Sequence, residues 1–307
     1  MRVTFFGTAT FAVPSLEELV AHRHAVELCV TQPDRPRGRG LKPEPSPVKQ
    51  AASRLGLPLS QPERLRAKVF EGLHPEVGVA AAYGQLIGPD VLAVPTQGIV
   101  GVHPSLLPKY RGAAPVAWAI LEGMTMTGVT VFRLDERLDA GDIVSQRAVA
   151  IEPGENTQQL TERLAVLGAQ ELLRALDAIE AGRATFTPQH EAHASVAPKL
   201  SKAQGRIDWS QTAEAIERLV RATIPWPGAT TAWRGKPLRV WSASSAASTE
   251  AAPGTVVQVQ PEGLTIATGS GTLLIRELQP PGRRRMPVRA FLAGHPIQPG
   301  DRFGDDA

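Results

Sequence analysis

At 307 residues the chain exceeds what one hydrophobic core ordinarily organises, which points to two domains. Hydrophobic residues make up 42% of it, enough for real cores, and 33 Lys and Arg against 30 Asp and Glu (net +3) exclude binding of polyanions through general basicity, so any such site must come from local clustering. The single cysteine, Cys29, excludes an intrachain disulfide and, within A-V-E-L-C-V-T, reads as a buried thiol in a reducing, cytoplasmic setting.

The opening M-R-V-T-F-F-G reads as a strand over residues 2–6 rather than a leader, and no apolar run approaches a membrane span, so a soluble protein is expected. Gly7 breaks that strand, and Ser15 is placed to cap a helix carrying Leu16, Leu19 and Val20. The turn G-T-A-T-F-A lacks the later glycines of a dinucleotide fingerprint and the lysine of a P-loop, so neither bound nicotinamide nor nucleotide hydrolysis is indicated. A second strand is predicted over residues 25–31. Residues 32–47 then hold five prolines, three arginines and one lysine with almost nothing apolar, which predicts a long exposed loop.

The alternation continues with a helix over 48–55, a short strand over 57–59 and a helix over 64–72. Residues 77–82 form a small apolar run closed by Tyr83 and Gly84, as expected of a strand buried on both faces of a parallel sheet, and 99–102 repeat the pattern. A helix over 114–122 precedes two strands, 127–134 and 143–151, that frame D-E-R-L-D-A-G-D as a β-hairpin. Asn156 or Thr157 caps a long amphipathic helix with Leu160, Leu164, Leu167, Leu172, Leu176 and Ile179 on one side. Strands alternating with helices predict an α/β fold whose functional edge lies at the carboxyl ends of the strands.

Residues 188–206 read as a linker between a first domain over 1–187 and a second over 207–307. His190 and His193 within it lack the i, i+4 spacing that sets two imidazoles side by side on a helix, so no metal is expected there. Past Ile207-Asp208-Trp209 a helix is predicted to about Ile224, followed by short strands in T-T-A-W, L-R-V-W, G-T-V-V-Q-V, L-T-I-A-T and G-T-L-L-I-R-E-L that suggest a small β-barrel.

Candidate chemistry concentrates at I-V-G-V-H-P-S-L-L-P, residues 99–108, where prolines forbid a strand from continuing past His103. A histidine at a strand's carboxyl end suits proton transfer, and Asp135, Asp139 and Asp142 are candidate carboxylate partners, although an acidic loop of this kind also fits a solvated turn. Ser105 as a nucleophile is disfavoured, since no G-x-S-x-G elbow surrounds it.

G-T-x-x-F-A at residues 7–12, T-Q-P-D-R-P-x-G-R-G at 31–40, A-Y-G-Q at 82–85, H-P-S-L-L-P-K-Y-R-G-A-A-P at 103–115, L-D-A-G-D-I at 138–143, and K-L-S-K with R-I-D-W at 199–209 together make nearly the whole chain resemble the methionyl-tRNA formyltransferases. The resemblance implies a Rossmann-like formyltransferase domain followed by a smaller OB-like β-barrel domain. It also implies 10-formyltetrahydrofolate as formyl donor, initiator methionyl-tRNA as acceptor, no metal, no membrane and a monomer in the cytoplasm. It assigns His103 as the general base with Asp139 orienting it, and it sets folate against Tyr83, Gly84, Ser105, Leu106, Leu107 and Pro108. For the tRNA it implies the 32–47 loop with Arg35, Arg37, Arg39 and Lys42, joined by Arg283 and Arg284 in the barrel domain.

Two positions depart from the family pattern. The family's catalytic asparagine, a donor to the oxyanion, falls on Gly101, and its glycine before L-D falls on Arg137. Loss of one oxyanion donor ordinarily costs a factor of about 100 to 1,000 in turnover, so a weakened member that binds tRNA or folate without efficient transfer stands as the alternative. A related folate enzyme with a small-molecule substrate is the other, and the Arg-rich loop argues against it.

Overall fold

The computed structural model describes residues 1–37, 42–246 and 249–304. Its chain separates into two compact units, one of Met1–Pro115, Met126–Ala150 and Thr161–Ala197, the other of Val116–Thr125, Ile151–Leu160 and Pro198–Ala307. The division therefore does not follow the sequence linearly: two short stretches of the expected first domain pack with the C-terminal part, and residues 188–197 of the expected linker pack into the first unit.

The first unit is built on strands β1 (Arg2–Gly7), β2 (Ala25–Val30), β3 (Arg35–Arg37), β4 (Lys42–Glu44), β5 (Leu59–Ser60), β6 (Val77–Ala81), β7 (Ile99–His103), β8 (Met126–Arg133) and β9 (Ile143–Ala150). Seven of them form one sheet in the order β5-β2-β1-β6-β7-β8-β9. The first five are parallel neighbours, whereas β8 runs antiparallel to β7 and β9 antiparallel to β8. Burial explains the composition: Val3, Phe5 and Phe6 are fully enclosed and every residue of β7 is buried, so continuous apolar runs form the middle of the sheet, while edge strand β9 alternates. Strand order reverses between β1 and β6, the point at whose carboxyl edge open α/β sheets bind ligands, and there Thr8 donates its hydroxyl to Tyr83 O. β7 lies parallel to β6, with Val102 opposite Ala81, so His103 emerges on that same edge as expected.

Helices α1 (Val13–Ala21), α2 (Pro47–Arg54) and α3 (Pro89–Leu92) lie among these strands. Ser15 is not a cap: it lies buried inside α1, which begins at Val13, and its hydroxyl finds no hydrogen-bond partner. The helix expected over 64–72 shrinks to a single 3-10 turn at Ala67–Phe70. The Arg-rich loop contains a hairpin, β3 with β4, in which Arg35 faces Glu44 and Arg37 faces Lys42. Cys29 is fully buried, and burial pushes its thiol up to about 12.

Helix α4 (Pro115–Leu121) belongs largely to the second unit, and α5 (Thr157–Glu180) is capped by Asn156, whose Oδ1 accepts from Gln159 N while Gln159 Oε1 accepts from Asn156 N. α6 (Ala213–Ala222) ends two residues short of the expected Ile224, and its N-cap Thr212 accepts from Ala215 N. After it come β10 (Ala229–Trp233), β11 (Lys236–Ala246), β12 (Val256–Gln260), β13 (Gly263–Ala267), β14 (Thr272–Gln279), β15 (Met286–Pro287) and α7 (Val288–Leu292). The six strands form an antiparallel sheet in the order β10-β11-β14-β13-β12, with β15 on β14. Alternate residues Leu264, Ile266, Leu273 and Ile275 are fully buried against Trp209, Trp233, Phe291 and Phe303. Isolated bridges join Trp233 to Phe303 and Thr255 to Arg302. Among the described residues no helix is long and apolar enough to cross a membrane.

Candidate active site

Past His103 the chain turns sharply, and side chains from the neighbouring strands hold the turn. Thr130 of β8 donates its hydroxyl to Ser105 O at 2.6 Å and accepts from Leu107 N at 3.1 Å. Gln146 of β9 donates to Leu107 O at 2.7 Å and to the Thr130 hydroxyl at 2.9 Å. Ser105, fully buried, donates to Lys109 O at 2.6 Å, so its hydroxyl secures the turn. The turn brings Tyr110, at φ +62°, back beneath the histidine.

His103 is 6% exposed, and its Nε2 lies 2.9 Å from Tyr110 O. A carbonyl only accepts, so Nε2 carries a proton and the neutral ring keeps Nδ1 free. Nδ1 in turn lies 3.8 Å from Asp139 Oδ2, an ion-pair distance rather than a hydrogen bond. The ring is thus oriented by the Tyr110 carbonyl, where the sequence reading assigned orientation to Asp139; Asp139 supplies negative charge beside the nitrogen able to gain a proton. The carboxylate is itself fixed, accepting from Gly112 N at 2.8 Å. Gly112 has φ +115°, and a Cβ there would meet Ala197 O at 3.0 Å, so glycine lets this amide reach Asp139. Asp139 has φ +48°, a left-handed conformation that costs a side-chain-bearing residue of order 1 kcal/mol and persists where its surroundings impose it. Of the other two candidate aspartates, Asp135 accepts from Arg137 Nη2 at 2.7 Å, and the Asp142 carbonyl accepts from Arg133 N at 2.8 Å.

Gly101 lies two residues before His103 on β7, hence on the same face. A Cβ at Gly101 would meet Leu134 Cδ1 and Phe132 Cε1, each at 2.6 Å. Those side chains occupy the room of a residue at this position, and the Phe132 ring stands edge-on to His103 with centroids 6.4 Å apart. Arg137 is an exposed side chain that binds Asp135 and approaches Glu191 at 3.7 Å; the Asp135 carboxylate raises its affinity for its proton.

Of the expected folate contacts, Tyr83 is buried, its phenol pushed up to about 12 by burial, and its carbonyl accepts from Thr8 Oγ1 at 2.8 Å and Gln32 Nε2 at 2.9 Å. Gly84 is exposed, Leu106 and Pro108 are half-buried, and Leu107 is buried. Leu86, in the same loop as Gly84 and absent from the sequence-based set, is 81% exposed. Arg35, Arg283 and Arg284 are exposed; Arg37 and Lys42 pair through their backbones, and Arg39 lies outside the described residues. Sequence reasoning also missed Tyr110, Arg111 and Gln189. Arg111 had a signal, standing inside the 103–115 motif, whereas nothing local marks Gln189.

Comparison with known proteins adds to this geometry. Residues 1–176 match the formyl transferase family model and residues 199–296 its C-terminal domain. A methionyl-tRNA formyltransferase of Roseiflexus castenholzii is 49% identical over 311 residues, covering 99% of each chain. HypX from Aquifex aeolicus, solved with tetrahydrofolic acid, superposes with a TM-score of 0.68 at 22% identity over 95% of this chain, which spans 47% of HypX. An N-formyltransferase from Helicobacter canadensis, solved with folinic acid and dTDP-3-aminofucose, gives a TM-score of 0.67 at 15% identity over 92% of this chain and 99% of its own. These two share the fold, Rossmann-like with a second, smaller domain.

Proposed function

The chain belongs to the methionyl-tRNA formyltransferase family, and on that premise we propose that it transfers a formyl group from 10-formyltetrahydrofolate to the amino group of initiator methionyl-tRNA in translation initiation. The first unit, Met1–Pro115 with Met126–Ala150 and Thr161–Ala197, forms the catalytic part, the second unit carries an OB-like tRNA-binding part, and the protein acts as a cytoplasmic monomer. Near-full-length identity of 49% to a tRNA-dependent relative outweighs the 15% to a sugar-dependent one, which disfavours a small-molecule acceptor. The OB-like reading is supported by the bridges at Trp233 and Thr255, which set the 302–303 segment against both β10 and the residue leading into β12.

One observation carries the mechanism: His103 has Nε2 committed to Tyr110 O and Nδ1 directed at Asp139. The methionyl amine sheds a proton as it attacks the formyl carbon, Nδ1 takes it as general base, and the bond from that carbon to N10 of the folate breaks as the proton is passed on to N10, releasing tetrahydrofolate. The imidazolium so formed faces Asp139 at 3.8 Å, which stabilises it as charge develops. The donor supplies the formyl carbon when bound. Gly84 and the 81% exposed Leu86 fit it, giving this strand edge an open backbone and an apolar surface on which a flat ring can lie, and Leu106 and Pro108 follow His103 along the turn. Ser105 and Leu107 act by shaping the turn.

A single-turnover assay with charged initiator tRNA and 10-formyltetrahydrofolate tests this reading: formyl-methionyl-tRNA is the expected product, and none at saturating enzyme leaves the weakened binding protein. Changing Arg35, Arg37 and Arg39 together to alanine is expected to flatten the slope of log affinity for tRNA against log salt by about 2 to 3, near 0.9 per lost phosphate contact, with folate affinity unchanged. An unaltered slope in filter binding across a salt series removes the loop from the interface.

A further inference from the structure

Gln189 is buried, at 9% exposure, and every hydrogen-bonding position of its amide is used. Nε2 donates to Asp139 O at 2.9 Å and to Gly141 O at 2.8 Å. Oε1 accepts from Arg111 Nε at 3.1 Å and Nη2 at 2.8 Å. Two carbonyls on one side and a guanidinium on the other admit only this orientation of the amide. Arg111 also holds Glu191 through both terminal nitrogens, at 2.9 and 3.1 Å, and its hydrogen bonds keep the Glu191 carboxyl below the usual carboxylate range. Behind this pair the backbone of 195–197 is bonded to the turn after His103: Ser195 N donates to Pro108 O, Arg111 N to Ser195 O, and Ala197 N to Arg111 O.

We infer that Gln189 is a positioning residue for formyl transfer, clamping the left-handed Asp139 to the segment that carries Tyr110, Arg111 and Gly112. The inference rests on the functional reading above. Two contacts place the Asp139 carboxylate beside His103 Nδ1: the Gly112 amide on its oxygen and Gln189 on its backbone carbonyl. The first sets the carboxylate relative to the turn; the second sets the loop backbone relative to the same turn, with Arg111 as the common anchor. A misplacement of the order of 1 Å in such a constellation costs about 100-fold in rate. Residues 188–197 are therefore part of the site's frame, and Arg137, through Glu191, extends that frame outward.

Gln189→Glu keeps size and the acceptors for Arg111 but sets carboxylate oxygens against the Asp139 and Gly141 carbonyls; Gln189→Ala removes both halves of the clamp. For each, kcat is expected to fall about 10- to 100-fold with KM for folate and tRNA within about threefold. Melting curves and wild-type enzyme are run alongside. Variants that melt lower yet retain wild-type kcat per folded molecule overturn the inference, as does a Gln189→Glu variant with full kcat. A wild type without transfer overturns the functional reading instead, so the two failures are distinguishable.

Discussion

Replacing His103 by alanine is expected to slow single-turnover formyl transfer by about 100- to 10,000-fold, the range of general-base contributions, while tRNA affinity stays as in the wild type. The base acts on a proton that leaves during bond formation, so its loss falls on the chemical step. Alanine also removes the hydrogen bond from His103 Nε2 to the Tyr110 carbonyl at 2.9 Å, a loss of about 0.5–1.5 kcal/mol. His103→Gln separates the two effects, since an amide can donate to Tyr110 O without offering a basic nitrogen. Both variants are expected to be equally slow, with His103→Gln the more stable in thermal melts. A folded variant within tenfold of wild-type turnover removes His103 from the role.

Gly101→Asn is expected to destabilise the protein by about 1–3 kcal/mol and to leave turnover no faster than wild type, because the new side chain enters space already filled. From the family pattern alone, the asparagine at this position restores an oxyanion donor and raises kcat. Packing reverses that expectation: a Cβ would meet Phe132 and Leu134 atoms at 2.6 Å, and Phe132 is 4% exposed in a fully buried stretch of β8. The compatible change is double. Gly101→Asn with Phe132→Leu is expected to melt higher than the two single effects added together predict, a coupling of about 0.5–3 kcal/mol, and to show whatever gain in kcat the amide supplies. Additive melting temperatures, or a faster single variant, refute the packing argument.

The element pattern was largely legible because it follows from burial periodicity, which is local. Continuous apolar runs at 77–82 and 99–102 became the central parallel strands, and the alternating segments after Trp226 became the antiparallel sheet of the second unit. The 64–72 segment failed because its few apolar residues satisfy a single 3-10 turn as well as a helix. Ser15 failed because α1 begins two residues earlier, with a proline in its first turn, leaving the hydroxyl inside the helix.

His103, Asp139 and the basic segments were marked as candidates by the sequence itself, since the residue types and their order are written in contiguous motifs. What only the tertiary structure decided is how the site is held. Tyr110 rather than Asp139 orients the ring, a matter of where a turn places a carbonyl. Phe132 and Leu134, more than thirty residues beyond Gly101, occupy the position of the missing side chain, because register between β7 and β8 sets Gly101 opposite Phe132. Gln189, in a stretch that reads as a linker, bonds to residues 50 and 78 positions away. Contacts between elements depend on strand register and loop path, which residue patterns along the chain do not encode, and in this protein those contacts set the geometry around His103.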